Sequence, residues 1–258
     1  MRVTPLVSAA LAGFVLGAAS LSHAALVQVS PGSLTAAYVV DFEDQGLSPG
    51  TFANHDGVLE SGFTQFSERF AGQTNTEVFI GFEFFDTLSG TPTDPLTLAN
   101  GPTLENLTVG NLGGNHGLSG ESSTKALGQG AVSVLFDFDQ SQVGFEALGI
   151  DTDEFGEALG ETLVASFFAR DGSSLGVFNL NLDGGFAKTF AFATDDGAFE
   201  IAGFSLTNDN VGGLGYDNFL HDVQGVQGEV PLPGAMWLFG TAMAGLAWRR
   251  RSCLTGRS

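Results

Sequence analysis

The chain has 258 residues, of which 29 are acidic and nine are basic, for a formal net charge of −20. All the acids lie within residues 41–229, where twenty-nine acids against four bases leave a charge of −25. This charge excludes nucleic acid as a partner, because phosphates are repelled. The one cysteine, Cys253, follows that segment, which excludes disulfides, a cysteine nucleophile and cysteine-based zinc sites from it.

The N-terminus has the features of an export signal. Arg2 supplies a positive start, residues 6–21 form an apolar run, and Ser22-His23-Ala24 is a small-x-small site. We therefore predict a signal peptide over residues 1–24, with cleavage after Ala24. The alternative is an uncleaved anchor helix. Residues 25–229 are long enough to form one domain with a sizeable core.

The pattern of residues 25–229 predicts β-strands. In residues 131–140, Val132, Val134, Phe136 and Phe138 fall on one face, and residues of mixed polarity fall on the other. Residues 37–44 and 174–185 alternate in the same way. A period of two is typical of half-buried strands that have one dry face and one wet face.

Asp-Gly pairs mark turns between these runs, at Asp171-Gly172, Asp183-Gly184-Gly185 and Asp196-Gly197. They predict an antiparallel meander over residues 163–209, with a β-bulge at Ala202-Gly203. The glycine-rich residues 110–120 are predicted to form a loop. With ten or eleven strands and 24 phenylalanines, the fold prediction is all-β: an antiparallel two-sheet sandwich that is jelly-roll-like.

A structural calcium site is predicted where the first and last strands of the sandwich meet. On a strand Asp41 and Glu43 point the same way, and Asp217 lies near the end of the domain. Carboxylate oxygens are the ligands that Ca²⁺ prefers. The alternative is that all three are solvated acids at strand ends. Residues 151–162 resemble a calcium-binding loop but lack the final glutamate, which favours an acidic hairpin loop.

No motif for catalysis is present, so we predict no catalytic residues and no enzyme. The histidines of the domain, His55, His116 and His221, lack metalloprotease spacing, and no GxSxG turn occurs. A secreted hydrolase is a third hypothesis. A carbohydrate-binding module is the second, although both tryptophans, Trp237 and Trp248, lie outside the domain.

The C-terminal segment, residues 230–251, is predicted to be a temporary membrane anchor. Residues 234–248 carry no charge, but as a helix they would span about 22 Å at ~1.5 Å per residue, against a hydrocarbon core of about 30 Å. Pro231 and Pro233 prevent an extension of that helix. The arginines that follow would stay at the cytoplasmic face, which makes residues 252–258 a cytoplasmic tail.

This segment resembles the PEP-CTERM sorting signal of Gram-negative bacteria, in which Leu232 stands where the motif has glutamate. The residues that carry the resemblance are Val230, Pro231, Leu232, Pro233, Trp237, Leu238, Phe239, Gly240, Arg249, Arg250 and Arg251. The resemblance implies that an exosortase cuts the tail after the inner membrane has held it. It also implies delivery to the cell surface or to an extracellular matrix of exopolysaccharide, as in a biofilm. The body is loosely similar to lectin-like and galactose-binding-like sandwich domains, which makes extracellular polysaccharide an expected partner.

Overall fold

A computed structural model describes residues 23–35, 38–80, 83–100, 106–111, 115–122, 127–149, 162–182 and 186–222. This part of the chain is all-β, with two short 3-10 helices at Pro31–Ser33 and Glu43–Gln45 and no α-helix. None of the helices in these ranges is long and apolar enough to cross a membrane. The predicted signal peptide up to residue 22 and the tail from residue 223 onwards lie outside the described residues.

Nineteen strands occur in the described ranges, more than predicted, because many of them are only two to four residues long. They are β1 Leu26–Val29, β2 Tyr38–Val40, β3 Phe52–His55, β4 Leu59–Ser61, β5 Thr64–Ser67, β6 Arg69–Phe70, β7 Thr74–Ile80, β8 Glu83–Ser89, β9 Leu98–Ala99, β10 Leu107–Asn111, β11 His116–Glu121, β12 Leu127–Gly130, β13 Val132–Gln140, β14 Gln142–Leu148, β15 Thr162–Phe168, β16 Ser174–Asn181, β17 Ala187–Thr194, β18 Ile201–Asn208 and β19 Gly215–His221.

The strands form two large antiparallel sheets and two short ribbons. The larger sheet has nine strands in the order β1-β17-β14-β19-β11-β10-β3, with β12 paired to β11 and β2 paired to β19. The second has six strands in the order β16-β15-β18-β13-β5-β4, and the ribbons are β6-β9 and β7-β8. From β13 to β19 the chain changes sheet five times. Such crossings occur in jelly rolls, and the jelly-roll assignment itself stays a prediction.

The two large sheets pack face to face through aromatic side chains. Phe145 of the nine-stranded sheet stacks on Phe204 of the six-stranded sheet, with ring centroids 5.5 Å apart. Phe192 and Phe167 meet across the same interface at 4.6 Å. All four rings are buried, and edge-on or offset contacts of this kind add to the gain from burying apolar area. Twelve phenylalanines are buried in the described residues and form much of the core, as predicted, whereas six others are exposed.

The predicted meander is wrong beyond its first hairpin. β15 and β16 do form a hairpin, with Gly172 at φ 79° in the turn. β17, however, joins the nine-stranded sheet, and β18 returns to the six-stranded sheet. The turn at Asp196-Gly197 therefore connects two sheets, because turn residues specify a local reversal whereas burial decides which strands pair. Asp183-Gly184-Gly185 lie outside the described residues.

Strand β13 departs from the predicted pattern of one dry and one wet face. Val132 and Val134 lie in the main core, but Leu135 on the opposite face is also buried, against Phe70 and Phe168. The short strands β6 and β9 contact β13 and its neighbour β5, so the outer face of β13 is covered there. The alternation therefore predicted the strand correctly and its solvent exposure wrongly.

The predicted bulge at Ala202-Gly203 coincides with an irregularity in strand pairing. The register between β13 and β18 shifts between the pairs Leu135↔Gly203 and Gln140↔Ile201. The additional residues lie on β13 rather than on β18. Ile201 and Phe204 both lie in the main core although they are three residues apart.

The predicted glycine-rich loop is largely a hairpin. β10 and β11 pair over Leu107–Asn111 and His116–Glu121. Glycine is required at position 120 because a Cβ there would lie 2.3 Å from the carbonyl oxygen of Gly130. The glycines therefore allow β12 to approach the sheet closely instead of making the segment a loop.

Candidate functional site

The second strand of the domain, β2, pairs with its last strand, β19, whereas the first strand, β1, pairs with β17. β2 pairs with β19, with the register Val40↔Phe219 and His221↔Tyr38. This pairing brings the chain around Asp41 next to the strand that carries Asp217. The candidate site is therefore a junction between the two ends of the domain, which we call the terminal junction: Asp41, Glu43, His116, Glu146 and Asp217.

The prediction that Asp41 and Glu43 share one face of a strand is wrong. β2 ends at Val40, and Phe42 adopts a left-handed conformation with φ 56° while its ring is fully buried. A 3-10 helix begins at Glu43, whose N–H lies 3.3 Å from the Asp41 carboxylate that accepts it. Burial of the Phe42 ring turns the chain here, and the two acids diverge.

Glu43 binds His116. One oxygen of the Glu43 carboxylate lies 2.6 Å from His116 Nδ1, and the other accepts the His116 backbone N–H at 3.1 Å. His116 is buried, and its Nε2 lies 3.3 Å from the side-chain amide of Asn111. Sequence reasoning missed this partner because His116 was assigned to a glycine-rich loop. His116 stands at the start of an alternating stretch, and this pattern could have indicated that it lies on a strand.

Asp217 is a fully buried carboxylate. It has no exposed surface, and neither of its oxygens makes a hydrogen bond of good geometry in the described part of the chain. Burial raises the pKa of Asp217 to about 6, the Asn218 N–H and the Asn115 amide oppose this shift, and the charges of Glu146 and Asp41 add to it. These two groups therefore compensate an ionised Asp217 only in part.

Strand β19 is irregular next to Asp217. Tyr216 and Phe219 are both fully buried although they are three residues apart, which a regular strand does not allow. The register against β14 shifts between Gly144 and Glu146, and Asn218 has φ 47° and donates to Glu146 at 2.8 Å. Two large aromatic residues at this spacing were the sequence signal for a bulge that brings Tyr216 and Phe219 to the same face, while Asp217 pairs with Glu146 on the other face.

The terminal junction brings together some of the predicted calcium ligands. Asp41 is close enough to Asp217 to raise its pKa, whereas Glu43 is directed at His116. Within the described ranges, no three His, Cys, Asp or Glu side chains form a group that could hold a metal ion. Asp41 and Asp217 would need amide, backbone or water oxygens to complete a calcium shell. Residues 151–161 lie outside the described residues.

The other two histidines of the domain lie on strands and pack within the fold. His55 lies on β3, and burial lowers its pKa. His221 is buried on β19, with its ring stacked on Tyr38 at 5.5 Å and tilted against Phe136 at 5.4 Å. Neither was predicted to be catalytic.

The predicted signal cleavage site lies at the edge of the fold. The Ala24 N–H donates to Glu200 at 2.8 Å, and the Ala25 N–H donates to Asp195 at 3.2 Å. β1 begins at Leu26. Cleavage after Ala24 would place the new ammonium group of Ala25 beside the Asp195 carboxylate, and the cleavage itself stays a prediction.

The sorting-motif residues lie outside the described residues, so their assignment depends on comparison. The family model of the PEP-CTERM protein-sorting motif matches residues 229–251. The chain carries a PEP-CTERM sorting motif. The match begins one residue before the predicted segment of 230–251 and ends at the same arginine. A comparison with the curated proteins finds no match to this chain.

The motif has a defined meaning. It is the recognition signal of exosortase, and proteins that carry it are exported and sorted to the cell surface in Gram-negative bacteria. The match covers the tail alone, so it assigns a destination to the chain and leaves the fold of residues 25–229 to be interpreted from its own geometry.

Proposed function

We propose that this chain is a non-enzymatic component of the cell surface or of the exopolysaccharide matrix of a biofilm. The match of residues 229–251 to the sorting motif carries the proposal. The acidic, disulfide-free β-domain suits an extracellular structural role, because high net charge keeps an exported protein dispersed. In this proposal the tail delivers the β-domain to the cell surface or matrix, where the domain has a structural role.

The two ends of the chain act in sequence in this proposal. The signal over residues 1–24 starts export, and residues 234–248 hold the protein in the inner membrane. Arg249, Arg250 and Arg251 keep the end of that helix in the cytoplasm. Exosortase then cuts near Pro231–Pro233 and releases the domain to the surface.

Mass spectrometry of the surface-located protein tests the sorting. We expect a mature chain that begins at Ala25 and ends near Pro233, and a chain that keeps its tail in a strain without exosortase. Replacement of Arg249, Arg250 and Arg251 by alanine should also leave the tail in place, whereas Arg257→Ala serves as a control outside the motif. A surface-located chain whose C-terminus lies beyond Arg251 would refute the proposal.

We further propose that Ca²⁺ stabilises the domain at the terminal junction. The supporting observation is the fully buried Asp217 carboxylate, which has two unpaired oxygens and lies near Asp41. A divalent cation would compensate both charges, and the amide of Asn115 lies beside Asp217. Such an ion would join β2 to β19.

Thermal melting with Ca²⁺ and with EDTA tests this second proposal. The melting temperature should rise with Ca²⁺ in the native chain and stay unchanged in Asp217→Asn. Glu60→Gln removes one charge from an exposed strand position and should keep the full calcium response. Equal melting temperatures with Ca²⁺ and EDTA in the native chain would exclude the site.

A further inference from the structure

The outer face of the six-stranded sheet carries an ordered array of small side chains. Across β16, β15 and β18, Val177, Ser166 and Ser205 form one cross-strand row. Val164 and Thr207 form the next row on the same face. Strands lie about 4.8 Å apart, so the rows present the hydroxyls of Ser166 and Thr207 beside apolar groups, while the hydroxyl of Ser205 is buried and bonded to that of Ser133.

The β7–β8 ribbon lies over this face and makes it one wall of a cleft. β8 contacts β18, and a cavity of about 380 Å³ lies between the end of β8 and the sheet, lined by Ser89, Thr91, Ser166 and other residues. A second cavity of about 240 Å³ continues along the ribbon. Both are lined by Val164 and Thr207, so the two cavities adjoin at these side chains, and we call them together the cleft.

The larger cavity is uncharged. Its lining in the described residues consists of hydroxyl, amide, glycine and apolar groups, without any Asp, Glu, Lys or Arg. Residues 41–229 carry twenty-nine acids and four bases, so a neutral cavity of this size is unusual for this surface. Its volume falls in the range of about 300–1,000 Å³ typical of ligand sites.

We propose that this cleft binds a neutral polysaccharide chain. The hydroxyls of Ser166 and Thr207 can exchange hydrogen bonds with sugar hydroxyls, and Val164, Val177 and Phe168 offer apolar surface to the C–H faces of sugar rings. Two adjoining cavities offer room for more than one sugar unit. An anionic polysaccharide is repelled by the charge of the domain and by Asp86 and Asp209, which line the second cavity.

This inference deepens the proposed matrix role, and it depends on that role only for the source of the glycan. Sugar binding by the purified chain is measured in solution, whereas sorting is measured in cells. A failure of sugar binding therefore does not refute the sorting proposal, and a failure of sorting does not refute sugar binding. A second copy of the chain is the competing occupant of the cleft, because Val78, Phe79 and Ile80 of β7 are exposed beside it.

Isothermal titration calorimetry of the mature protein tests the cleft. The probes are cellohexaose, maltohexaose, laminarihexaose and mannohexaose, with hexagalacturonate as the anionic counterpart. We expect saturable binding of at least one neutral probe with a Kd below about 1 mM and none of hexagalacturonate. Ser166→Ala and Thr207→Val should each weaken binding about fivefold, the effect of one net hydrogen bond.

Two further variants show whether the sugar binds in this cleft. Thr189→Val makes the same change on β17 of the other sheet, where Thr189 is equally half-exposed, and should bind normally. Val177→Asp alters a side chain that is 61% exposed, so folding is kept while binding weakens about fivefold. The proposal is overturned if no neutral probe binds or if hexagalacturonate binds more tightly than every neutral probe. It is also overturned if the purified chain forms a dimer that Thr207→Val dissociates while sugar binding stays unchanged.

Discussion

Replacing Asp86 with asparagine should stabilise the protein at neutral pH. Asp86 lies on β8 with only 2% of its surface exposed, and it accepts the Ala131 N–H at 3.0 Å. Burial raises the pKa of Asp86 to about 6, the hydrogen bonds from Ala131 and Asn75 oppose this shift, and the charges of Glu68 and Glu77 add to it. Asparagine has the same shape and keeps an acceptor for the Ala131 N–H.

The magnitude follows from the difference between the folded and unfolded pKa values. An unfolded aspartate has a pKa of about 3.9, and one pKa unit corresponds to about 1.4 kcal/mol. A folded pKa of about 6 therefore amounts to ~3 kcal/mol. Because the folded pKa is raised, the ionisation of Asp86 destabilises the folded protein. The ~3 kcal/mol of stability is present below about pH 4 and is lost as the pH rises through 6. Asp86→Asn removes that loss.

Denaturant unfolding of the native chain and of Asp86→Asn between pH 4 and pH 7.5 measures the effect. The free energy of unfolding of the variant, relative to the native chain, should rise from near zero at pH 4 to about 3 kcal/mol at pH 7.5. Glu60→Gln, on the exposed strand β4, should show no such rise. A difference that is constant or falls with pH would refute the reasoning.

Three further outcomes are expected in the same unfolding assay. Gly120→Ala should destabilise the protein by about 3 kcal/mol, because its Cβ would lie 2.3 Å from a backbone oxygen. The control Gly57→Ala has open space around it and should change stability by less than ~0.5 kcal/mol. Phe145→Ala in the core should cost about 3–5 kcal/mol of stability. The Phe186 side chain is 66% exposed, so Phe186→Ala should cost less than ~0.5 kcal/mol. Equal losses would contradict the described core. Asp195→Asn should cost the mature chain about 0.2–1 kcal/mol by removing the partner of the Ala25 ammonium, and no loss would show that the two do not pair.

The strands were largely predictable from sequence, but their partners were not. Alternation identified β13, β15, β16, β17 and β18, since a half-buried strand must alternate. The sheet to which each strand belongs is a property of the whole chain. Asp171-Gly172 closes a hairpin and Asp196-Gly197 connects two sheets, although the two pairs are the same locally.

The candidate site was predicted in position and only in part in composition. The meeting of Asp41 with Asp217 follows from the pairing of β2 with β19. The loss of Glu43 to His116 could not be predicted, because it depends on a hairpin about seventy residues away along the chain. The burial of Asp217 could not be predicted either, because its neighbours Asp41 and Asn115 are distant along the chain.

The position of β19 has a consequence for the order in which the protein can mature. Gly215–His221 lies in the interior of the nine-stranded sheet, between β14 and β11, and also pairs with β2. The sheet therefore stays in two halves until this strand has emerged from the export channel. Only six residues separate Asp222 from the sorting motif at residue 229. A chain truncated before residue 215 therefore loses its central strand together with the sorting motif.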